Sequence, residues 1–255
     1  HVDAQYVTTV PDPAATARSA AGSDTSKEST TQGGTFTITA GDGVDDLTIG
    51  GNAFITNGVF TAGSFTTALG NTLSVTAYNA GTGVVSYTYT LLDNEAHAAA
   101  NGENALFENF AVHLTDTDTG VADSTLSVRI VDDVPTAEAD VDKTTSGTAN
   151  GNVILGTGMT GGVADIAGAD GLASPAVVGV STSAGSITDG TGVGGVVASA
   201  KGTLTLGADG AFTYTKTDAE ATGTDTFYYT IIDKDGDPST TTLTINLDSN
   251  PTITN

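Results

Sequence analysis

The chain has 255 residues, enough for two domains that each bury a core, and its 30 acidic residues against 7 basic ones set a formal charge of -23. That sign excludes phosphate backbones and anionic membrane surfaces as partners, and the lack of cysteine excludes disulfides and thiolate chemistry. No apolar run approaches the roughly 20 residues of a membrane span, and no stretch has the basic start and apolar centre of a signal peptide, so the expectation is a soluble fragment or a chain exported without reading its N-terminus.

Gly, Thr and short alternating apolar runs predict an all-β protein. Residues 1–33 hold one strand, over 4–10, followed by a Pro-flanked and then Ala/Ser/Thr/Gly-rich stretch that reads as linker. From Thr35 the runs at 36–39, 47–49, 73–75, 85–91, 110–114 and 126–130 alternate with period two, so each strand has one face to bury, as in a β-sandwich covering 34–133. Residues 93–109 break the alternation, and helical turns are expected at 96–100 and 103–107. The run Asp132-Asp133-Val134-Pro135 ends this domain, because proline donates nothing to a ladder and restricts the residue before it. A second sandwich is expected over 134–250, with a strand at 152–155, a glycine-rich loop over 156–171 and a strand at 176–180. A hairpin over 202–215 turning at Asp209-Gly210 follows, then strands at 227–232 and 240–247. Residues 251–255 begin a linker to a following module.

Two parts of the chain share a frame. Phe110 through Asp118, followed by 126–130, lines up at one offset with Phe227 through Asp235, then 243–247, and a proline follows shortly after each. One module is therefore present twice, and each copy carries acidic residues where its last two strands connect. In the second copy these are Asp233, Asp235 and Asp237. Carboxylates so close together repel unless a cation gathers them.

Because successive strands of a sandwich run oppositely, the 233–237 connection lies at the end where the linker arrives with Asp132, Asp133, Glu138 and Asp140. The loop carrying Asp165 and Asp170 belongs to the same end. These residues form the first candidate Ca²⁺ site. Asp116, Asp118 and Asp123 form the matching set in the first domain, with Asp42, Asp45 and Asp46 nearby, and Asp248 and Asn250 would serve a following module. The 233–237 run is not an EF-hand loop, since Gly236 stands at its fourth position and Thr244 where a bidentate Glu is required. The glycine-rich nonapeptide of calcium-binding β-rolls is also absent.

The runs around Tyr87-Thr-Tyr-Thr-Leu-Leu-Asp-Asn-Glu-Ala-His97, Asn101-Gly-Glu-Asn-Ala-Leu-Phe-Glu-Asn-Phe110, Leu114-Thr-Asp-Thr-Asp118 and Val131-Asp-Asp-Val-Pro-Thr-Ala137 resemble the repeats of giant bacterial RTX adhesins exported by type I secretion. The second domain, with Phe212-Thr-Tyr-Thr, Asp225-Thr-Phe-Tyr-Tyr-Thr and the 233–237 run, is similar to the cadherin-like or immunoglobulin (Ig)-like modules of those proteins. The resemblance covers about 35 to 247. It implies two tandem Ig-like (cadherin-like) β-sandwich domains joined by a short acidic linker, with Ca²⁺ stiffening the junctions of a monomeric fibre on the bacterial cell surface. Neighbouring repeats of the same chain, and a host or abiotic surface reached through the intact adhesin, are the implied partners. The first domain departs from the pattern, with Thr119-Gly-Val-Ala-Asp123 where such modules often read Asp-Gly-Asp.

An enzyme is the rival class. His1, His97 and His113 have no nucleophile or motif partner, and Glu103 and Glu108, the conceivable glycosidase pair, lack surrounding aromatics and any Trp. The expectation is no catalysis. A ligand-binding module for sugar, peptide or surface is the alternative, using the glycine-rich loops 156–171 and 185–202.

Overall fold

A computed structural model describes residues 31–92, 95–98, 102 and 104–248, with 2–3 and 7–11 described as backbone. They form two compact units divided between Asp132 and Asp133, with residues 98 and 102 grouped in unit 2. The described residues contain strands and turns and no helix.

Unit 1 contains β1 (Val2–Asp3), β2 (Val7–Pro11), β3 (Thr31–Ile38), β4 (Val44–Ile49), β5 (Asn52–Thr56), β6 (Val59–Phe60), β7 (Gly63–Thr66), β8 (Thr72–Asn79), β9 (Val84–Thr90), β10 (Ala105–Asp116) and β11 (Val121–Val131). One sheet has the order β1-β3-β9-β8-β7 and the other β2-β11-β10-β4-β5-β6. Both contribute to a core that includes Phe36, Tyr87, Tyr89, Phe110, Val112, Leu126 and Val128. Alternation decides which residues enter it. Along β10 the buried positions are Glu108, Phe110, Val112 and Leu114, while their neighbours face outward.

Two expectations change here. The helical turn at 103–107 is replaced by strand, since Ala105 to Phe107 lie in β10 opposite Val131 to Arg129. Cross-strand pairing over eleven consecutive positions overrides any local helical preference. For the turn at 96–100, residues 96–98 are irregular, and 99 and 100 lie outside the described residues. Of the strand expected over 4–10, residues 4–6 lie outside the described residues and 7–10 fall in β2, which pairs parallel with β11, while β1 before it pairs antiparallel with β3, so both backbones belong to unit 1.

Unit 2 contains β12 (Asp140–Lys143), β13 (Thr148–Asn152), β14 (Leu172–Ser181), β15 (Val196–Ala198), β16 (Gly202–Leu206), β17 (Ala211–Lys216), β18 (Gly223–Asp233) and β19 (Pro238–Leu247). Its sheets have the orders β12-β19-β18-β14 and β13-β17-β16-β15. The hairpin expected at Asp209-Gly210 is β16 and β17, with Leu206 opposite Phe212. Tyr214, Phe227, Tyr229, Ile231, Leu243 and Ile245 lie in the core, and the Tyr214 and Phe227 rings meet edge-on at 5.9 Å.

The two units repeat one pattern. Each ends in a long antiparallel hairpin, β10–β11 or β18–β19, and in each an early strand pairs parallel with the last one. The all-β class and the sandwich units read from the alternating runs are what the strands show.

Glycine-rich residues 153–171 do not stand out as a loop. Val141 and Gly161 exchange two backbone hydrogen bonds, as do Thr136 and Ile166, so the segment is strapped along the chain leading into and through β12. A Cβ on Gly156 would lie 2.6 Å from the backbone of Val163 and Ala164, which is the physical reason for glycine at that crossing.

Candidate metal centre

The 233–237 turn closes the β18–β19 hairpin of unit 2. Its first carboxylate is buried because of strand parity: Phe227, Tyr229, Ile231 and Asp233 occupy the inward positions of β18. Asp233 is 1% exposed and Asp237 0%. The Asp233 side chain caps the turn, with Oδ1 accepting from the N–H of Gly236 at 3.0 Å and of Asp237 at 2.7 Å. Gly236 has φ +98°, a conformation glycine adopts without strain. Asp237 Oδ1 accepts from the Gly102 N–H at 2.6 Å.

These bonds occupy one side of the cluster only. Asp233 Oδ2, Asp237 Oδ2 and both oxygens of Asp235 are buried and meet no donor among the described residues. Buried carboxylates are ordinarily paired, hydrogen-bonded or bound to a metal, because an isolated charge in a low-dielectric interior is strongly unfavourable. Burial, together with the adjoining Asp235 and Asp237 carboxylates, pushes the Asp233 carboxyl up to about 8. All donors are hard oxygens, which suits Ca²⁺ over the softer transition metals. Asp235 offers both its oxygens, as a bidentate ligand would.

Two other predicted residues reach this end of unit 2. Asp133 Oδ2 accepts from the Ala169 N–H at 2.9 Å, and Asp170 is 6% exposed. Gly171 O accepts from the Lys234 N–H at 3.1 Å, which ties the Asp170 loop to the turn.

Glu138, Asp140 and Asp165 leave the predicted set. Asp140 Oδ1 accepts from the Val163 N–H at 2.9 Å and its Oδ2 lies 3.0 Å from the Tyr229 hydroxyl, while Asp165 Oδ1 accepts from the Glu138 N–H at 2.7 Å. A backbone N–H holds one oxygen each of Asp140 and Asp165, and the Tyr229 hydroxyl lies against both side chains. Among the described residues the three do not gather with the 233–237 carboxylates in a metal-sized group.

Asp132, at the end of unit 1, is 3% exposed. It follows Leu126, Val128 and Ile130 on the inward parity of β11. Its Oδ2 accepts from Asn104 Nδ2 at 3.2 Å, and Oδ1 lies 3.4 Å from His97 Nδ1.

At the β10–β11 turn the expected set is altered by one member. Carboxylate oxygens of Asp42, Asp116 and Asp118 lie within 4.8 Å of one another, and Asp42 and Asp118 are exposed. Asp123 is elsewhere, paired through Oδ1 with His113 Nδ1 at 2.6 Å, because the register of β10 and β11 sets those two residues directly opposite. Asp46 is also separate, its Oδ1 accepting from the Asn57 N–H at 3.0 Å. Within the cluster, the Asp118 side chain and the Gly120 N–H lower the Asp116 carboxyl, while proximity to Asp116 raises that of Asp118. Water reaches this group, so its mutual repulsion is screened in a way the Asp233 cluster's is not.

Gly102 is the contributor that sequence reasoning missed. A backbone N–H carries no residue signature, so nothing in the letters marks it.

No curated protein sequence matches the chain. Among solved structures it is similar to the N-terminal eight Ig domains of Down Syndrome Cell Adhesion Molecule (11% identity, 97% of this chain and 24% of that one, TM-score 0.25). It is also similar to an endo-fucoidan hydrolase of glycoside hydrolase family 107 (15%, 96% and 28%, TM-score 0.28). A third is the protocadherin GammaB4 extracellular domain (11%, 95% and 31%, TM-score 0.29). The chain thus spans about a quarter to a third of the length of these proteins, and likeness at this level says nothing of function. In sequence, residues 132–246 match the family described as Bacterial Ig domain, a stretch that takes in β12 through β18 and nearly all of β19. The two-sheet architecture and this match together make unit 2 an Ig-like repeat.

Proposed function

We propose that the chain is a non-catalytic extender segment of a bacterial surface adhesin of the RTX, type I-secreted kind, in which Ca²⁺ rigidifies the junctions between modules and so projects a distal adhesive region. The observation that carries this reading is the set of buried oxygens on Asp233, Asp235 and Asp237 that meet no donor among the described residues. Ca²⁺ takes six to eight oxygens at about 2.3–2.6 Å from carboxylates, carbonyls and water. The turn supplies the first of these, and Asp133 and Asp170 stand at the same end of unit 2. The chain passes from unit 1 to unit 2 between Asp132 and Asp133, so an ion held by Asp133 would act at the connection itself. The exposed Asp42, Asp116 and Asp118 group is the corresponding weaker site. Acting as a spacer, the chain's partners are neighbouring repeats and, through the intact protein, a host or abiotic surface. It works as a monomer outside the cell, where Ca²⁺ is abundant enough for sites of about 10⁻⁴ to 10⁻³ M.

Isothermal titration of the full chain with CaCl₂, after exhaustive chelation, tests the reading. Saturable binding is expected, with a higher melting temperature in Ca²⁺ than in chelator. Absence of binding heat together with an unchanged melt at millimolar Ca²⁺ would overturn it.

A further inference from the structure

A second group of acids lies inside unit 2, apart from the 233–237 turn, with Asp140 buried and Asp165 half-buried. The Tyr229 hydroxyl is 3.0 Å from Asp140 Oδ2, 3.1 Å from Asp165 Oδ1 and 3.0 Å from the Glu138 carbonyl oxygen. Asp140 is 0% exposed and Tyr229 1%. Each carboxylate is also fixed from behind, Asp140 by the Val163 N–H and Asp165 by the Glu138 N–H. Neither can swing out without breaking a backbone contact.

Counting protons shows what is missing. A phenol has one hydrogen to donate, and an ionised carboxylate has none. If both acids were ionised, Tyr229 could satisfy one of its three acceptors. At least one carboxylate oxygen would then face the phenol oxygen with no hydrogen between them, in a site where an unmade hydrogen bond is costly. Among the described residues, no Lys, Arg or His side chain pairs with either acid to offset this charge. The titratable groups facing Asp165 are Asp140, Glu138 and Tyr229. One added proton resolves the conflict, because a protonated carboxyl donates to the phenol oxygen while the phenol donates onward.

We propose that Asp140 and Asp165 hold one shared proton around Tyr229, forming an acid latch that fastens the 153–171 strap to β12 and β18 and that weakens when the proton is lost. The strap reaches this point from both sides: Asp165 N–H donates to Ile154 O, and Ile166 pairs with Thr136. The electrostatics agree in direction. Burial raises both carboxyls, Asp165 up to about 7. A carboxyl raised on folding favours the folded state most at low pH. That contribution is complete below the unfolded value near 4 and is lost as pH rises through about 7.

The test uses the full chain in chelator throughout, so that its outcome is independent of the Ca²⁺ reading. Carboxyl-carbon NMR should show one member of the Asp140–Asp165 pair holding its proton until near pH 7. Both titrating below pH 5 would overturn the latch. Asp165→Asn supplies a permanent donor in place of the proton. Its folding constant should match wild type near pH 5 and exceed it at least tenfold at pH 8, whereas an equal fall with pH in both proteins would also overturn the proposal. Asp233, raised in the same direction, remains in both proteins and cancels in this comparison. If the variant fails to fold, the wild-type titration decides alone.

Discussion

Asp235→Ala should change sign with Ca²⁺. In chelator the variant is expected to be at least as stable as wild type, because it removes a carboxylate whose two buried oxygens meet no donor among the described residues, beside Asp233 and Asp237. In saturating Ca²⁺ the order reverses. A ligand that binds the folded state alone stabilises it by about 2.7 kcal/mol at a hundred times its dissociation constant, a condition reached near 10 mM for a site of about 10⁻⁴ M. Wild type should gain that amount and the variant little of it. Chemical denaturation of both proteins, with and without the ion, measures the crossover. A variant less stable than wild type under both conditions would mean that Asp235 supports the turn by itself and that no ion is involved.

Phe227→Ala should cost about 3–5 kcal/mol, the usual range for emptying a buried aromatic site. Phe227 is 0% exposed and meets Tyr214 edge-on, so the variant loses both buried area and a ring contact. Its counterpart in the repeated frame is Phe110, which is 6% exposed and meets Phe65 edge-on at 5.7 Å. The two cores share no residue. Scanning calorimetry should therefore show Phe227→Ala lowering the unfolding of unit 2 while leaving the unit 1 core intact, and Phe110→Ala doing the converse. Equal loss in both units from either substitution would show that the chain unfolds as one body.

Much of the fold could be read before any coordinates, because its signals are local. Period-two runs located β10, β11, β16, β17, β18 and β19, and Asp209-Gly210 located the hairpin turn. Parity also held information about the site: Phe227, Tyr229 and Ile231 are two residues apart, and the next step inward is Asp233, just as Leu126, Val128 and Ile130 lead to Asp132. That count marks Asp233 and Asp132 as buried, while the same step along β10 ends on Asp116, which is only half-buried. What sequence spacing could not separate was the linker acids. Glu138, Asp140 and Asp165 are as acidic and as near in order as Asp133 and Asp170, yet Tyr229 and the backbone of Val163 and Glu138 take them into a different environment. Asp123 was misplaced for a similar reason, since only the β10–β11 register reveals that it faces His113. Backbone donors such as Gly102 leave no trace in composition at all.

The parallel pairing of early and last strands has a mechanical meaning. In unit 2, Asp140 to Lys143 lie beside Leu243 to Asn246 and run the same way, and in unit 1 Val7 to Pro11 lie beside Ser127 to Val131 likewise. A chain that comes in along one of these strands and goes out along the other leaves each unit at the opposite end from where it came in. Tension between the two ends then runs along the strands and slides one past the other, so it is shared across the hydrogen bonds of the pair at once. An antiparallel pair pulled from one end would peel a bond at a time. Pulled from those two ends, each module would be loaded in shear, in the geometry of a rope splice.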